Sequence, residues 1–348
     1  MEEERKTEST PKKEVPSDAP VIVAHEKKER VGEPIEETSE SAQVSYREEL
    51  TQKDSSKPEK KEKAEKKEKK IKTSAGGSLG GAFKAMIGFF TVFRTNPTEK
   101  DIKSMESNFW FVPAIGLLIG ALAFFVSSIF FALGVDTIVI AVLALVTAFV
   151  VSKFLHFDGL VDLGDGLIAT GDREKHIRAL KDTAIGAGGF GLALTVILLS
   201  GTSYASLGWV LLIMIWPMEI IVKNAMVAAA AFGEPGNGMA AEQVRCVTKN
   251  SLMMSTVVTV VLAIATLAIS WAILNLAMGF AAFDFSNFWE YVVAVIVGVV
   301  MSIAAGYLTS YFANKTFGFT NGDVLGATNE ISRAICSLFI LTVICLML

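Results

Sequence analysis

The sequence has little cysteine and little histidine, and both shortages narrow the chemistry to be considered. Its 348 residues include three of each. Cys246, Cys336 and Cys345 show no CxxC spacing, so they indicate no redox or metal-binding pair. They are most simply small apolar residues of a membrane core. Among the histidines only His156 lies within a motif, since the other two fall in a charged tail and a basic loop.

The first 75 residues lack phenylalanine and tryptophan altogether. They consist almost entirely of Glu, Lys, Ser, Thr and Pro, and such a segment cannot bury enough apolar surface to offset its ordering entropy. We therefore predict a disordered charged tail over 1–75, with a single-helix spacer around 57–72 as the alternative, and an integral membrane domain over 76–348. No charged, then apolar, then small-residue pattern opens the chain, so we expect no cleaved signal peptide.

Charged residues are scarce in much of the remainder, where apolar runs are long enough to cross a bilayer, which takes about 20 helical residues. The sequence thus predicts an all-α fold, a polytopic membrane helical bundle of about seven spans. A shorter apolar segment, Phe83 to Phe93, precedes them and is expected to form an interfacial or re-entrant helix. The predicted spans are 109–133, 136–155, 184–204, 207–231, 252–280, 289–312 and 331–348.

Lysine and arginine are missing from the connections around 134–136, 205–207 and 281–288, which follow the first, third and fifth predicted spans. The alternate connections are basic. Because lysine and arginine concentrate in cytoplasmic loops, this bias predicts a cytoplasmic N-terminal tail, an outside C-terminus and a multi-pass protein of the cell membrane. The same orientation places the acidic motif described next on the cytoplasmic side. The basic residues are Arg173, Lys175, Arg178, Lys181, Arg245, Lys249, Lys315 and Arg333.

Three carboxylates lie close together in the stretch from His156 to Gly166. If it is helical, Asp158, Asp162 and Asp165 stand at i, i+4 and i+7 on one face. Each ionised pair, roughly 5 to 6 Å apart, would repel by about 2 to 3 kcal/mol at an effective dielectric near 20. A hard divalent cation such as Mg²⁺ would relieve that repulsion, because it takes oxygen ligands and often bridges to phosphate.

Further polar residues suggest what such a cation would serve. Several basic residues follow the motif, which favours a metal together with a polyanion such as a diphosphate. Glu219 and Lys223 are four positions apart in the fourth predicted span, where they either pair with each other or Lys223 contacts a phosphate or carboxylate. Asp323 and Glu330 share a helical face near the last span and are expected to form a second wall of the site.

The acidic stretch HFDGLVDLGDG resembles the H-x-D-G-L-x-D-x-x-D-G signature of the cobalamin synthase, or adenosylcobinamide-GDP ribazoletransferase, family. Residues 181–186, KDTAIG, look like that family's basic-D-S-R-x-G segment. Residues 320–330, TNGDVLGATNE, are similar to its T-G-D-x-x-G-A-x-x-E segment. The three segments agree in order and position, and the resemblance runs from roughly residue 79 to 348, leaving the tail uncovered.

The resemblance implies a Mg²⁺-dependent membrane phosphotransferase of cobalamin biosynthesis. It would join α-ribazole, or its 5′-phosphate, to adenosylcobinamide-GDP and give adenosylcobalamin, or its phosphate, plus GMP. The expected partners are these two substrates and the lipid bilayer. A homo-oligomer is compatible with the sequence, and no nucleic acid is expected.

Site residues carry over from the resemblance onto the matching positions. The expected metal ligands, which are also assigned to catalysis, are Asp158, Asp162 and Asp165. His156 and Asp182 complete the catalytic set; either of them, or Asp165, would accept the proton of the attacking hydroxyl. Substrate contacts are expected from Lys181, Lys223, Asp323 and Glu330.

The chain departs from the family pattern in its middle segment. Ala184 stands where the family has arginine, so Lys181 or Lys223 would have to supply that diphosphate contact. Glycine also replaces the aromatic or histidine residue usual between the glycines of 186–189. These departures affect the fine contacts of the site and leave the acidic motif unchanged.

Two other functional classes are alternatives. A CDP-alcohol-type membrane phosphotransferase uses D-x-x-D-G-x-x-A-R, and residues 162–169 match its first eight positions, but Thr170 stands in place of the arginine. A cation transporter would also carry acids among apolar spans. Here the acids cluster towards one membrane face and no inverted repeat is visible in the spacing of the spans.

Overall fold

The computed structural model describes residues 77–238, 240–278 and 287–347. The predicted tail over 1–75 lies outside the described residues, so its disorder and the domain boundary at 76 stay predictions. Within the described ranges the fold is all-α, as predicted, and holds no β-strand. An isolated β-bridge joins Pro235 and Thr320.

The helices follow one another through short connections. In chain order they are α1 (Leu79–Phe90), α2 (Glu99–Ser107), α3 (Pro113–Ala132, after the 3₁₀ turn Phe109–Phe111), α4 (Thr137–Val151), α5 (Leu155–Ile168), α6 (Arg173–Leu180), α7 (Ala187–Ser206), α8 (Val210–Phe232), α9 (Ala240–Cys246), α10 (Lys249–Met278), α11 (Phe288–Thr316) and α12 (Gly322–Met347).

Six of these helices are long and apolar enough to cross a membrane: α3 with its 3₁₀ turn, α7, α8, α10, α11 and α12. Helices α4 and α5 together form a seventh, bent candidate. Large apolar side chains such as Phe125, Val142 and Val257 are exposed on α3, α4 and α10, which is what a lipid-facing surface requires. The protein is therefore a multi-pass membrane protein, and the prediction of about seven spans is confirmed.

The bend between α4 and α5 corrects one predicted boundary. The span expected over 136–155 ends as helix at Val151, and the axis of α5 then turns by 93°. Lys153 and Phe154 cause the turn, because both adopt positive φ, 57° and 56°, which interrupts a right-handed helix. The Nζ of Lys153 donates to the carbonyl oxygen of Gly88 at 3.1 Å and fixes the bend against α1. The acidic motif thus has a helix of its own.

The last predicted span also has a different start. Helix α12 begins at Gly322 instead of 331, so Asp323 and Glu330 belong to the same helix as the span itself. Asn321 caps the N-terminus of this helix, because its side-chain oxygen accepts the N–H of Val324 at 3.1 Å. Helix α12 packs on α5, α7, α8 and α11.

Helix α8 lies at the centre of the bundle. It is buried along nearly its whole length and packs against α3, α10, α11 and α12. Its apolar side chains, together with residues of α3, α4, α7, α10, α11 and α12, form the main core. A buried helix of this kind needs no polar face, so the charged residues that it does carry call for partners within the protein.

Glycines of the acidic motif set how closely α5 packs on its neighbours. A Cβ at Gly159 would lie 2.6 Å from the backbone oxygen of Asp323 on α12. One at Gly164 would lie 2.8 Å from the backbone oxygen of Gly188 on α7. These glycines therefore let the helices approach each other, and Gly159 brings α5 against Asp323.

We expect Gly159→Ala to destabilise the protein by about 1 to 3 kcal/mol, because the added methyl group would push α12 away from α5. The measurement is thermal unfolding of the purified protein in detergent. Gly191→Ala on α7 is the matched control, since a Cβ there meets no atom within 4 Å. Equal melting temperatures for the two variants would contradict the close packing of α5 on α12.

Candidate active site

A cavity of about 640 Å³ opens between α1, α2, α5, α8 and the start of α12. Its volume lies within the range of small-ligand sites, about 300 to 1,000 Å³. Most of its wall is apolar. The polar groups facing it include Asp158 and His156 of α5, with Asn321 and Asp323 at the start of α12.

Four carboxylates form one negative region at the edge of this cavity. Asp158 is exposed and Asp162 half-buried, and the charges of Asp158, Asp165 and Asp323 all act on Asp162. Asn321 donates to Asp323 at 2.7 Å. Within the described ranges no lysine or arginine forms an ion pair with any of the four. Their mutual repulsion is thus left for a bound cation to relieve.

The residues present fit Mg²⁺ shared with a substrate phosphate better than a complete protein metal site. In the described part of the chain, no three His, Cys, Asp or Glu side chains are arranged to hold a metal ion. Mg²⁺ is commonly bound through one or two carboxylates, with phosphate oxygens and water as its other ligands. Asp158 and Asp323 offer two such carboxylates on the cavity wall.

Asp165 makes a different set of contacts from its two companions. Its Oδ2 accepts the N–H of Gly186 at 2.7 Å, and its Oδ1 accepts the N–H of Gly189 at 2.8 Å. Both N–H groups belong to the first turn of α7 or its cap, where a negative charge is stabilised. The geometry therefore favours a role for Asp165 in joining α5 to α7.

His156 is buried at the junction of the polar and apolar parts of the cavity. Its ring is 2% exposed and stacks on Phe90 with centroids 5.7 Å apart. The Nε2 atom is buried and has no hydrogen-bond partner. Such an unsatisfied atom costs free energy unless a ligand or water completes it. Its place on the cavity wall makes it a candidate ligand contact.

The segment from Lys181 to Gly186 lies apart from the cavity. Lys181 and Asp182 are exposed, and neither is among the described residues that line the cavity. Asp182 accepts the N–H of Ala184 at 3.0 Å, a local turn contact. The charge of Lys181 acts on Asp323, so the segment lies within electrostatic reach of the acidic region.

A buried polar network joins α8 to α12. Lys223 donates to Oδ1 of Asn329 at 2.7 Å, and the amide of Asn329 donates to Glu330 at 2.7 Å. Arg333 donates to Glu330 at 3.0 Å and pairs with Glu219. All five residues are at most 2% exposed. Two carboxylates and two cations thus neutralise one another inside the bundle.

The sequence left two interpretations of Glu219 and Lys223: a pair with each other, or contact of Lys223 with a phosphate or carboxylate. The network differs from both. Glu219 pairs with Arg333 on another helix instead of Lys223. Lys223 and Glu330 contact Asn329, and neither is among the described residues that line the cavity. Arg333, counted in the sequence only as a sign of membrane orientation, is the central partner. The sequence signal for this role was the position of Arg333 at the edge of an apolar span, where a charged side chain needs a partner within the protein.

The wall formed by α2 is less acidic than its sequence suggests. Glu106 lines the cavity and is half-buried. Burial, and after it the neighbouring Glu242, raise the pKa of the Glu106 carboxyl.

We expect Arg333→Met to lower the free energy of unfolding by about 3 to 5 kcal/mol, because two buried carboxylates would lose their cation. Thermal unfolding in detergent measures the change. Arg245→Met is the matched control: Arg245 also pairs with a glutamate, Glu242, at 3.4 Å, but both side chains are about half exposed. That surface pair is worth at most about 1 kcal/mol. Similar losses in both variants would contradict a network that stabilises through buried charge.

Known proteins match the chain over most of the described fold. The profile of a family described as Cobalamin-5-phosphate synthase matches residues 82–341. A Methanosarcina barkeri protein named adenosylcobinamide-GDP ribazoletransferase is 28% identical over 287 residues, which cover 76% of this chain and 92% of the relative. One of the same name from Methanocella arvoryzae is 29% identical over 266 residues, 74% of this chain and 94% of the relative. No solved structure matches the chain.

The resemblance carried by the three sequence segments is thereby confirmed. The family match begins within α1 and ends within α12, and so includes every helix that contributes to the cavity. Since it covers well over half of the sequence, the chain belongs to the cobalamin-5-phosphate synthase family.

Proposed function

We propose that the protein is an adenosylcobinamide-GDP ribazoletransferase, which joins α-ribazole or its 5′-phosphate to adenosylcobinamide-GDP and releases GMP. Family membership and the names of its relatives support this reaction. The structural observation that carries it is the pair Asp158 and Asp323, free of ion pairs with lysine or arginine in the described ranges, on the wall of one cavity. A diphosphate substrate needs cationic neutralisation, and these two carboxylates would share a divalent cation with it.

The reaction exchanges one phosphorus–oxygen bond for another. A hydroxyl of the ribazole attacks the phosphorus on the cobinamide side, and the bond to the GMP oxygen breaks. Asp158 and Asp323 would hold Mg²⁺, with Asp162 adding negative charge beside them. When bound, the ion would supply charge neutralisation at the phosphate oxygens. The protein itself then has to position the two substrates in line and receive one proton.

His156 is the best placed of the three candidate proton acceptors. It lines the cavity, and its Nε2 has no partner. Asp165 already accepts two backbone N–H groups, and Asp182 lies in an exposed turn. A general base has to lie within hydrogen-bond reach of the hydroxyl proton, which only a residue on the cavity wall can satisfy.

We infer further that the site and the N-terminal tail face the cytoplasm of a cell-membrane protein. The cavity wall includes Asn237 from the connection after α8 and Asn321 from the connection after α11. Those connections, and the bend after α4, belong to the side of the chain that carries the lysines and arginines. The basic-loop rule assigns that side to the cytoplasm, where nucleotide substrates are found.

Asp158→Asn and Asp162→Asn are each expected to reduce GMP release from adenosylcobinamide-GDP about a hundredfold or more, because each removes negative charge from the cation site. The assay supplies α-ribazole with and without Mg²⁺. Asp136→Asn is the matched control, since Asp136 caps the distant start of α4 and asparagine caps equally well. Release that persists in both variants, or without a divalent cation, would contradict the proposed site.

Thermal unfolding of the Asp158→Asn and Asp165→Asn variants distinguishes the roles of these two residues of the acidic motif. Asp158→Asn should leave the melting temperature unchanged, because Asp158 is exposed and in no ion pair within the described ranges. Asp165→Asn should lower stability by about 1 to 3 kcal/mol, since one of two backbone N–H groups loses its acceptor.

Membrane orientation can be measured at Cys246, which is exposed at the end of α9. In a variant with Cys336 and Cys345 replaced by serine, a membrane-impermeant maleimide should label inverted vesicles and leave intact cells unlabelled. Labelling in intact cells would reverse the proposed orientation and place the cavity outside.

A further inference from the structure

We propose that the apolar part of the cavity binds the fused aromatic base of the ribazole co-substrate, with Phe89 and Phe90 of α1 as its aromatic wall. The inference rests on the proposed function and assigns one of its two substrates to this space. The assignment follows from the composition of the wall, from the size of the cavity and from the order of groups along it.

Aromatic and flexible apolar side chains line part of the cavity. Phe89 and Phe90 lie edge to face with centroids 4.8 Å apart. Ile102 and Met105 of α2 and Met226 of α8 complete this part of the cavity. Aromatic rings bind flat bases by stacking, and methionine adapts to irregular ring edges. Polar side chains, among them Arg94, Asn96 and Glu106, also line the cavity and border this apolar part.

The size of the cavity separates the two substrates. A space of about 640 Å³ suits a ligand of drug size. A ribazole is a single nucleoside and fits that description. Adenosylcobinamide-GDP combines a corrin macrocycle, an adenosyl group and a nucleotide, so only its diphosphate region could share the space. The apolar part of the cavity is accordingly assigned to the smaller substrate.

The order of groups along the wall matches the order of groups in a nucleoside. The stack of Phe90 on His156 connects the aromatic part to α5, and Asp158 follows His156 by two residues on the same helix. His156 presents a buried ring nitrogen without a partner at this junction. A base held against the phenylalanines would place its ribose beside His156 and the carboxylates, where the reacting hydroxyl is needed.

Filling the cavity from its rim tests the assignment without disturbing the core. Ile102 lines the cavity and is 41% exposed, so Ile102→Trp adds bulk where the fold tolerates it. We expect the KM for α-ribazole to rise about tenfold or more, with the KM for adenosylcobinamide-GDP changed by less than about twofold. Lys103→Trp is the matched control, since Lys103 is exposed beside it and is not among the described lining residues.

Removing part of the aromatic wall gives a second, independent test. Phe89→Ala should weaken equilibrium binding of α-ribazole about tenfold in the absence of the second substrate. Phe83→Ala on the same helix is its control, because Phe83 packs on Phe111 with centroids 6.1 Å apart and is absent from the described cavity wall. Both variants remove one partly buried phenylalanine from α1, so a general loss of stability would affect them alike.

Each outcome has one meaning. A raised KM for adenosylcobinamide-GDP alone would assign the cavity to the corrinoid substrate and overturn the proposal. Unchanged constants for both substrates would overturn it as well, and would favour a membrane lipid as the occupant. Absence of GMP release by the unsubstituted protein would contradict the proposed function instead, and the α-ribazole binding measurement would still decide the base site.

Discussion

Charge neutralisation between α8 and α12 is the constraint on which the rest of the bundle depends. Glu219 and Lys223 sit on the most buried helix, where an isolated charge costs about 2.5 to 3.5 kcal/mol even on insertion scales. Arg333 and Glu330 of α12 supply the opposite charges, with Asn329 between them. Because a shift of α12 by one residue would separate these partners, the network fixes the position of α12 against the centre of the fold.

Because α12 is fixed in this way, the residues of its first turn are fixed at the cavity wall. Its first turn carries Asp323, and Gly159 lets α5 approach that turn to within direct backbone contact. The acidic region is therefore assembled from α5 and α12. The buried charge network fixes the position of α12, and Gly159 sets how closely α5 packs on it. Preorganisation of this kind suits phosphoryl transfer, in which the protein mainly positions the substrates and neutralises charge.

Local patterns in the sequence predicted the long apolar spans. The acidic motif predicted a cation site, which stays a prediction, because no three acidic, histidine or cysteine side chains of the described residues are arranged to hold a metal ion. What the sequence could not predict depends on contacts distant along the chain. The pairing of Glu219 with Arg333 joins residues 114 positions apart, and Asp165 finds its partners at Gly186 and Gly189. The bend at Lys153 could not be predicted either, because lysine has no intrinsic preference for positive φ. Here Lys153 adopts positive φ while its Nζ donates to the carbonyl oxygen of Gly88 on α1. The short helices α1 and α2 carry no motif, and so their place in the cavity wall was not predictable either.

An apolar wall beside the proposed phosphate site also bears on the competing reaction, hydrolysis of the activated substrate. Water is a nucleophile for the same phosphorus, and it is present at far higher concentration than any nucleoside. A base seated against Phe89 and Phe90 would displace water from the space next to His156 and Asp158. The lower local dielectric would then strengthen the attraction between the bound cation and the phosphate oxygens. Binding of the ribazole would thus exclude water as a competing nucleophile. It would also strengthen the charge stabilisation of the phosphoryl transfer to the ribazole hydroxyl.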